Sequence, residues 1–377
     1  MDAMPKWADV VLVPVVSLLL AAIISIIVFV AVGQDPWEAL KLMSYGAVGT
    51  SDNLGYTLFY MTNFIFTGLA VAVAFHAALF NIGGEGQVLL GGLGATLAVL
   101  FVPWPHWTLA LLAGSVAAAL FGALWVAIPA YLQARRGSHI VITTIMFNFM
   151  ASGLLIFMLA GPLKPVGEMQ IATAVFPETV HLPSLHDIAQ LFGLDTFGRS
   201  PVNISIFLAL GACVGVWALI WHTRLGYQIR AFGQSESAAR YAGISAVNIT
   251  MIALLISGAL AGMMAVNNTM GINNPQLVDN AAGGAGFIGI AVALMGRNHP
   301  VGIVIAALLF GALFQGGAEL SAATQIPVQI VVVIQALVIM FTGALDEMVR
   351  SPIQKMFLRY GNKGVGAPAA VLPEGEE

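Results

Sequence analysis

A polar segment interrupts the apolar sequence at residues 80–87, which read FNIGGEGQ. It places the carboxylate of Glu85 between the amides of Asn81 and Gln87, three groups that can hydrogen-bond a polar solute. Its glycines oppose a regular helix, because glycine costs about 1 kcal/mol per helical position relative to alanine. Polar groups are costly inside a bilayer unless they line a cavity or contact protein. The segment therefore predicts a functional site; a tight cytoplasmic turn with solvated side chains is the alternative.

Further polar side chains fall within apolar stretches and are candidates for lining a solute pathway. The full set of pathway candidates is Asn63, Asn81, Glu85, Gln87, Asn148, Asn267 and Gln315. Amides with few charges suit a neutral solute, such as a nucleoside or a sugar, better than an ion. For any single amide, a helix–helix hydrogen bond worth about 0.6 kcal/mol is the alternative.

Sequence patterns of several enzyme classes are absent. No GxxxxGK[ST] pattern occurs, so we expect that this chain does not hydrolyse ATP. HExxH, CxxC and GxSxG patterns are also missing, and the histidines are scattered along the chain. We therefore predict no catalytic residues, no metal site and no cofactor bound by the chain itself.

The composition indicates an integral membrane protein. The 377 residues are 59% hydrophobic and only 8% charged, whereas a soluble domain carries roughly 25% charged residues. A soluble fold would have too few charges to cover its surface. The single cysteine, Cys213, excludes an internal disulfide.

Ten apolar stretches approach the ~20 residues that cross a bilayer as a helix, although the third, eighth and ninth are short. They cover residues 10–32, 54–75, 88–102, 107–132, 140–160, 202–221, 247–270, 286–295, 301–314 and 327–344. We therefore predict an all-α, polytopic protein with about ten transmembrane helices in a single domain over residues 1–360. Residues 161–201 would form an outer loop, and residues 361–377 a disordered cytoplasmic tail. No internal repeat is obvious.

Basic residues predict that both termini are cytoplasmic. Lysine and arginine follow the even-numbered stretches and are scarce in the other loops, and such residues concentrate on the cytoplasmic side. The residues concerned are Arg135, Arg136, Arg224, Arg230, Arg240, Arg297, Arg350, Lys355, Arg359 and Lys363. The exceptions on the opposite side are Lys41, Lys164 and Arg199.

The connection at residues 225–246 is a second candidate site. Ser235 is placed to cap a short helix over residues 236–242, which Gly243 would end. Its small side chains, Ala238 and Ala239, would let another protein approach closely. A helix joined directly to two membrane helices would pass a partner's movement to both as a rigid body. An ordinary surface turn is the alternative.

In their order along the chain, three segments resemble the membrane subunit of a bacterial ABC importer: FNIGGEGQ, then AARYAGIS, then ALMGRNHPVGIVIAALLFGAL. The likeness is to the permease family of ribose, branched-chain amino acid and nucleoside uptake systems. FNIGGEGQ, with the later GRNHP and GAEL segments, is most similar to the nucleoside-type permeases.

The resemblance implies that residues 225–246 dock in a groove on a separate ATPase subunit. The implied interface residues are Gly226, Arg230, Glu236, Ala238, Ala239, Arg240 and Gly243. The coupling consensus of other importers has a glutamate before paired alanines and a glycine after them. This chain matches that consensus only loosely, because Ser237 separates Glu236 from the alanines.

The resemblance also implies alternating access in a bacterial inner membrane, driven by ATP and magnesium on the ATPase. The implied partners are that ATPase, a second permease subunit, identical or different, and an extracytoplasmic substrate-binding protein, but no nucleic acid. A permease for simple sugars or branched-chain amino acids is one alternative. A stand-alone secondary transporter is another, and it would need a titratable group deep in the membrane, for which Glu85 is the candidate. A membrane-embedded enzyme would need a catalytic cluster that the sequence lacks.

Overall fold

Apolar helices build almost all of the described structure. The computed structural model describes residues 12–31, 33, 35–194, 196–198, 200–324, 328–341 and 351–354. Its α-helices are α1 (Val13–Ala31), α2 (Pro36–Val48), α3 (Ser51–His76), α4 (Gly84–Leu100), α5 (Trp107–Arg136), α6 (Ile140–Ala160), α7 (Leu185–Leu191), α8 (Ser205–His222), α9 (Arg224–Gln234), α10 (Glu236–Tyr241), α11 (Ala246–Met270), α12 (Ala285–Met295), α13 (Pro300–Ala323) and α14 (Val328–Ile339). No β-strand occurs within these ranges, so the all-α prediction is confirmed.

The helices fall into two groups. Helix α1 belongs, with the described residues after 332, to one group, and helices α2 to α13 form the other. The second group contains every predicted site residue. The basic residues Arg199, Arg350, Lys355, Arg359 and Lys363, and the predicted tail at 361–377, lie outside the described residues. The single-domain assignment stays a prediction.

The number of membrane-spanning helices corrects the sequence analysis. Among the described residues, six helices are long and apolar enough to cross a membrane, namely α3, α5, α6, α8, α11 and α13, or up to seven if α1 and α2 count as one span. This is fewer than the ten predicted stretches, of which the tenth, at 327–344, lies partly outside the described residues.

Two helices explain much of this difference. Helix α4 has 17 residues and α12 has 11, so at about 1.5 Å per residue they measure about 26 Å and 17 Å. A hydrocarbon core is about 30 Å thick. Both predicted spans are helical but short, and each follows non-helical backbone, at 79–82 before α4 and at 271–284 before α12. Hydropathy alone does not reveal this break.

Helix α3 lies at the centre of its group. It is the most deeply buried of the long helices, with 83% of its apolar window inside the protein, and it packs against α11, α12 and α13. Helix α11 in turn packs against α4 and α5. A Cβ atom on Gly262 of α11 would clash with the backbone of Ala118 in α5. Glycine is needed there because the two backbones touch.

The helix bundle has two distinguishable ends. At one, Gly233 of α9 lies against the carbonyl oxygen of His76, the last residue of α3; we call this the α9 end. At the other, the Leu182 amide donates to the carbonyl of Met270, the last residue of α11. We call this the long-loop end, because residues 161–204 lie there.

The long loop is a cap on the bundle. It contains a short 3-10 helix, Glu178–Val180, and the seven-residue α7. Phe176, Val180 and Leu182 of the loop join a buried hydrophobic cluster with Val99 of α4 and Met270 of α11. The loop is therefore anchored in the core.

Candidate functional site

Helices α4 and α12 begin side by side. A Cβ atom on Gly84 would lie 3.3 Å from the Cα atom of Gly286, and one on Gly286 would clash with the backbone nitrogen of Glu85. Only glycine allows this approach. We call residues 79–86, which lead into α4, and 283–286, which begin α12, the central break.

Three long helices show the depth of the central break. Asn81 Nδ2 donates to Ser257 Oγ at 2.9 Å, near the middle of α11. Asn148, near the middle of α6, donates to the Ile82 carbonyl at 2.9 Å. Three residues into α12 from Gly286, Gly289 packs against Thr67 of α3. The break is therefore at mid-depth, which excludes the solvated turn considered for this segment.

Helices α4 and α12, which we call the two half-helices, run from the central break toward opposite ends of the bundle. Helix α4 ends near Trp104 and Trp107, which pack on the cluster at the long-loop end. Helix α12 leads to Asn298, whose carbonyl lies 3.1 Å from His76 Nε2 at the α9 end. Their N-termini face each other, and each carries a partial positive charge from the helix dipole.

Neither half-helix provides its own N-terminal cap. The N-cap residues are Gly83 and Gly284, which have no side chain to accept the first backbone N–H groups. Glu85 caps α12: Oε1 accepts from the Gly284 amide at 2.8 Å and Oε2 from the Gly286 amide at 3.0 Å. Asn148 of α6 caps α4, because its Oδ1 accepts from the Gly86 amide at 2.9 Å.

Asn81 and Gln87 form a second part of the site. The Asn81 amide donates to Gln87 Oε1 at 3.1 Å, and the Gln87 amide donates to Asn81 Oδ1 at 3.0 Å. The Gly83 amide also donates to Asn81 Oδ1. Both side chains are almost fully buried. They hold the non-helical segment 79–82 against the start of α4.

The other amide candidates lie in a separate buried network. Asn267 Nδ2 donates to Asn63 Oδ1 at 2.8 Å, and Asn63 Nδ2 donates to Asn268 Oδ1 at 2.9 Å. Asn203 and Ser205, which the sequence analysis missed, both donate to Asn267 Oδ1. The network joins α3, α8 and α11. The role of Asn63 and Asn267 in a solute pathway stays a prediction.

Gln315 is the last pathway candidate, and it is buried in α13. Its neighbour Phe314 packs against two rings of α3, with centroid distances of 4.9 Å to Tyr60 and 5.7 Å to Phe64. The sequence analysis did not single out this aromatic group. Gln315 therefore follows directly after the residue through which α13 packs on α3, and its role in a solute pathway stays a prediction.

The central break is open on one side. Gly283 is exposed, and the rings of Phe287 and Phe149 are 49% and 70% exposed. The segment leading to the break also exposes polar residues, Asn274 and Asn280 among them. Leu277 of this segment packs against Gly92, halfway along α4. Polar, non-helical backbone therefore continues from the long-loop end to mid-depth.

The connection at 225–246 contains the predicted helix. Helix α10 covers Glu236–Tyr241, one residue shorter than predicted, and Ser235 caps it by accepting from the Ala238 amide. Gly243 has φ +80°, the left-handed conformation that favours glycine. The preceding helix, α9, is amphipathic and was not predicted. Two exposed tyrosines, Tyr227 and Tyr241, were also missed.

The predicted interface residues differ in accessibility. Glu236, Ala238, Arg240 and Gly243 are exposed. Arg240 forms an ion pair with Glu236 one turn earlier in α10. Gly226 and Ala239 are buried and Arg230 is half-buried. The first four can meet a partner directly, whereas Gly226 and Ala239 support the shape of the connection.

We also searched the described residues for side chains that could bind a metal ion together. Within the described ranges, no three His, Cys, Asp or Glu side chains converge in a way that could hold a metal ion. The expectation that the chain binds no cofactor stays a prediction.

A family model described as branched-chain amino acid transport system / permease component matches residues 53–343. The chain belongs to this family. A glucose ABC transporter permease of Haloferax volcanii is 33% identical over 93% of this permease and 91% of its own length. A guanosine ABC transporter permease of Bacillus subtilis is 33% identical over 90% and 95%. A nucleoside ABC transporter permease of Lactococcus lactis is 32% identical over 88% and 90%. No solved structure matches the permease.

This permease is a multi-pass membrane protein, and its two half-helices share a sequence pattern. Residues 83–86 read GGEG, and residues 283–286 read GGAG. Short, glycine-interrupted apolar segments at corresponding positions of two halves indicate a binding site in many transporters. The two patterns lie just before the third predicted stretch, at 88–102, and at the start of the eighth, at 286–295, and each of these is the third stretch in its set of five. This match at three of four positions is the signal by which the sequence could have revealed the break.

Proposed function

We propose that this permease is the transmembrane subunit of an ABC importer that takes up nucleosides by alternating access. A separate ATPase subunit would bind ATP and magnesium and supply the energy. The proposal is supported by family membership and by two relatives named as guanosine and nucleoside permeases, each matched over at least 90% of its own length.

We place the solute pathway along the open side of the central break. The observation that carries this proposal is non-helical backbone at mid-depth with an exposed glycine, Gly283. Backbone of that kind is tolerated in a bilayer only where it contacts protein or lines a water-filled cavity. A second permease subunit, identical or different, would cover this side and complete the pathway. Asn81, Gln87 and Asn148 would then hold its wall in shape.

We propose that the α9 end faces the cytoplasm of a bacterial inner membrane. Arg135, Arg136, Arg240 and Arg297 lie at the helix ends on that side, which fits the positive-inside rule. The ATPase would then contact the exposed residues of α10. A substrate-binding protein would dock at the long-loop end, where the described part of the loop packs on the bundle.

The solute class follows from the chemistry at mid-depth. The groups there are amides, one capped carboxylate and aromatic rings, and no lysine or arginine is present among residues 79–86 and 283–287. Such a surface suits a neutral solute. The exposed rings of Phe149 and Phe287 offer faces on which a nucleobase can stack. A simple sugar is the second candidate, favoured by the glucose permease among the relatives.

Deleting the gene in its own organism tests the solute. We expect uptake of radiolabelled guanosine to be lost and restored by a plasmid copy, with glucose and leucine uptake unchanged. Loss of glucose or leucine uptake alone would overturn the nucleoside assignment while keeping the transport function. Membrane vesicles test energy coupling, since an ABC importer requires ATP. Guanosine uptake by vesicles that contain this permease alone, without ATP, would instead indicate a secondary carrier using Glu85.

A pair of exposed alanines tests the ATPase contact. Ala238→Glu places a carboxylate on the exposed face of α10, and we expect the ATPase no longer to co-purify. Ala160→Glu, at the exposed end of α6 near the long loop, is the matched control and should keep the ATPase bound. Ala239 is unsuitable because it is 3% exposed, so a glutamate there would test folding. Normal co-purification with Ala238→Glu would remove α10 from the interface.

A further inference from the structure

We propose that Glu85 is a positioning residue of the transport cycle: it joins the two half-helices and keeps the central break aligned with the α9 end. The proposal deepens the proposed function and rests on it. It differs from a pathway role, because the carboxylate would act on the protein backbone rather than on the solute.

Glu85 holds the start of α12 by two hydrogen bonds. Each carboxylate oxygen accepts from one backbone amide of α12, at 2.8 Å and 3.0 Å. These are charge-assisted bonds to the start of a helix, where the dipole favours a negative charge. Helix α12 has no cap of its own, because its N-cap residue is Gly284. Glu85 is thus the side chain that closes the N-terminus of α12, although the two lie about 200 positions apart in the sequence.

Asn148 extends the connection to a third helix. It accepts from the Gly86 amide and donates to the Ile82 carbonyl, so it fixes both sides of the turn that carries Glu85. The order of contacts is therefore α6 to α4 through Asn148, and α4 to α12 through Glu85. A shift of Asn148 would move Glu85 and, through it, the start of α12.

The far end of α12 leads to a contact with His76, the last residue of α3. The turn after α12 places the Asn298 carbonyl 3.1 Å from His76 Nε2. The Trp221 ring contacts both His76 and His299, with centroid distances of 5.2 Å and 5.0 Å. Gly233 of α9 rests on the His76 carbonyl. Helix α12 is therefore a short element that is linked to α9 through His76 at one end and held by Glu85 at the other.

These contacts predict how α12 would act during transport. A movement of α9 would displace the His76–Asn298 contact and push α12 along its own axis. Its start would move residues 79–86, the α4 side of the central break, through the link that Glu85 makes to α4. Without that link, α12 would move and residues 79–86 would follow less.

A near-isosteric substitution tests the positioning role. In Glu85→Gln the amide oxygen can still accept one N–H group, but the amide nitrogen cannot accept the other. We expect the maximal rate of ATP-driven uptake to fall about tenfold, with the KM for solute within about twofold of the wild type. Glu319→Gln in α13 is the matched control and should behave as the wild type. A raised KM with an unchanged maximal rate would overturn the proposal, because it would identify Glu85 as a solute contact.

A double-mutant cycle tests whether the two caps act together. If they do, Asn148→Ala should lower the maximal rate, and the double variant with Glu85→Gln should be no slower than the slower single variant. Multiplied losses in the double variant would mean that Glu85 and Asn148 act independently, which contradicts the proposed order of contacts.

A labelling experiment provides a readout that does not depend on transport. Phe287→Cys, in a Cys213→Ser background, places one thiol in the first turn of α12, where the native side chain is 49% exposed. We expect Glu85→Gln to raise its maleimide labelling rate several-fold in the purified permease, because α12 loses its cap. An unchanged rate would overturn the proposed cap. If labelling changes as expected but the wild type with its partners shows no ATP-driven uptake, the proposed function fails and the cap stands.

Discussion

Helices α4 and α12 begin with almost the same sequence, yet they depend on different neighbours. The patterns GGEG at 83–86 and GGAG at 283–286 differ at one position, where Glu85 corresponds to Ala285. Helix α4 is capped by a neutral amide at one N–H group, and α12 by a carboxylate at two. The single charged residue belongs to the longer half-helix but serves the shorter one.

This asymmetry has an electrostatic reason. Two helix N-termini that face each other repel, because both carry partial positive charge. One carboxylate between them offsets both. A second carboxylate at position 285, which is buried, would place like charges close together in a region of low dielectric. The difference at one position therefore lets two similar segments share one charge.

The largest expected effect comes from making the two patterns identical. Glu85→Ala leaves the Gly284 and Gly286 amides without their acceptor, and an unsatisfied buried group costs about 1–3 kcal/mol. We expect a marked fall in the melting temperature of the purified permease in detergent. Glu236→Ala, which removes an exposed carboxylate from α10, is the control and should change it little. Equal melting temperatures for the two variants would mean that the charge is not needed at the break.

The second effect compares the closing glycines of the two patterns. A Cβ atom on Gly286 would clash with the backbone nitrogen of Glu85, whereas one on Gly86 would lie 3.0 Å from the side chains of Ala151 and Asn148 and 3.1 Å from the Cα atom of Asn148. The overlap at Gly286 is the deeper one, and overpacking costs about 1–3 kcal/mol. We therefore expect Gly286→Ala to lower the melting temperature more than Gly86→Ala does. The reverse order would contradict the close approach of α4 and α12.

The sequence predicted the helices better than the number of membrane spans. A long apolar stretch favours a helix, and within the described residues each predicted stretch overlaps one. The helix α10 followed from Ser235 and Gly243, which act locally. The break at α12 did not follow, because the bonds that define it join Glu85 to residues about 200 positions away. Periodicity also gave no sign that Asn203 and Ser205 would complete the network of Asn267.

The third effect tests the neutral cap. Asn148→Ala removes the acceptor of the Gly86 amide and the donor to the Ile82 carbonyl. Loss of a helix cap costs about 0.5–2 kcal/mol. We expect less than for Glu85→Ala, because the two bonds of Asn148 join neutral groups, whereas both bonds of Glu85 are charge-assisted. Melting temperature again provides the measurement. Asn248→Ala, at an exposed position near the start of α11, is the matched control. A larger loss for Asn148→Ala than for Glu85→Ala would reverse the ranking of the two caps.

The smallest effect separates the reasons why each half-helix has a glycine at its N-cap. Gly284 has φ +82° and open space around it, whereas Gly83 has φ −78° and would place a Cβ atom 2.8 Å from Gln87 Nε2. Conformation therefore requires glycine at 284, and space requires it at 83. Asparagine enters the left-handed region more readily than alanine, so Gly284→Asn should melt higher than Gly284→Ala, by the equivalent of about 1 kcal/mol or less. At 83 the order should invert, because asparagine is the larger residue. The same order at both positions would mean that one requirement governs both glycines, and that the two breaks are more alike than their backbones indicate.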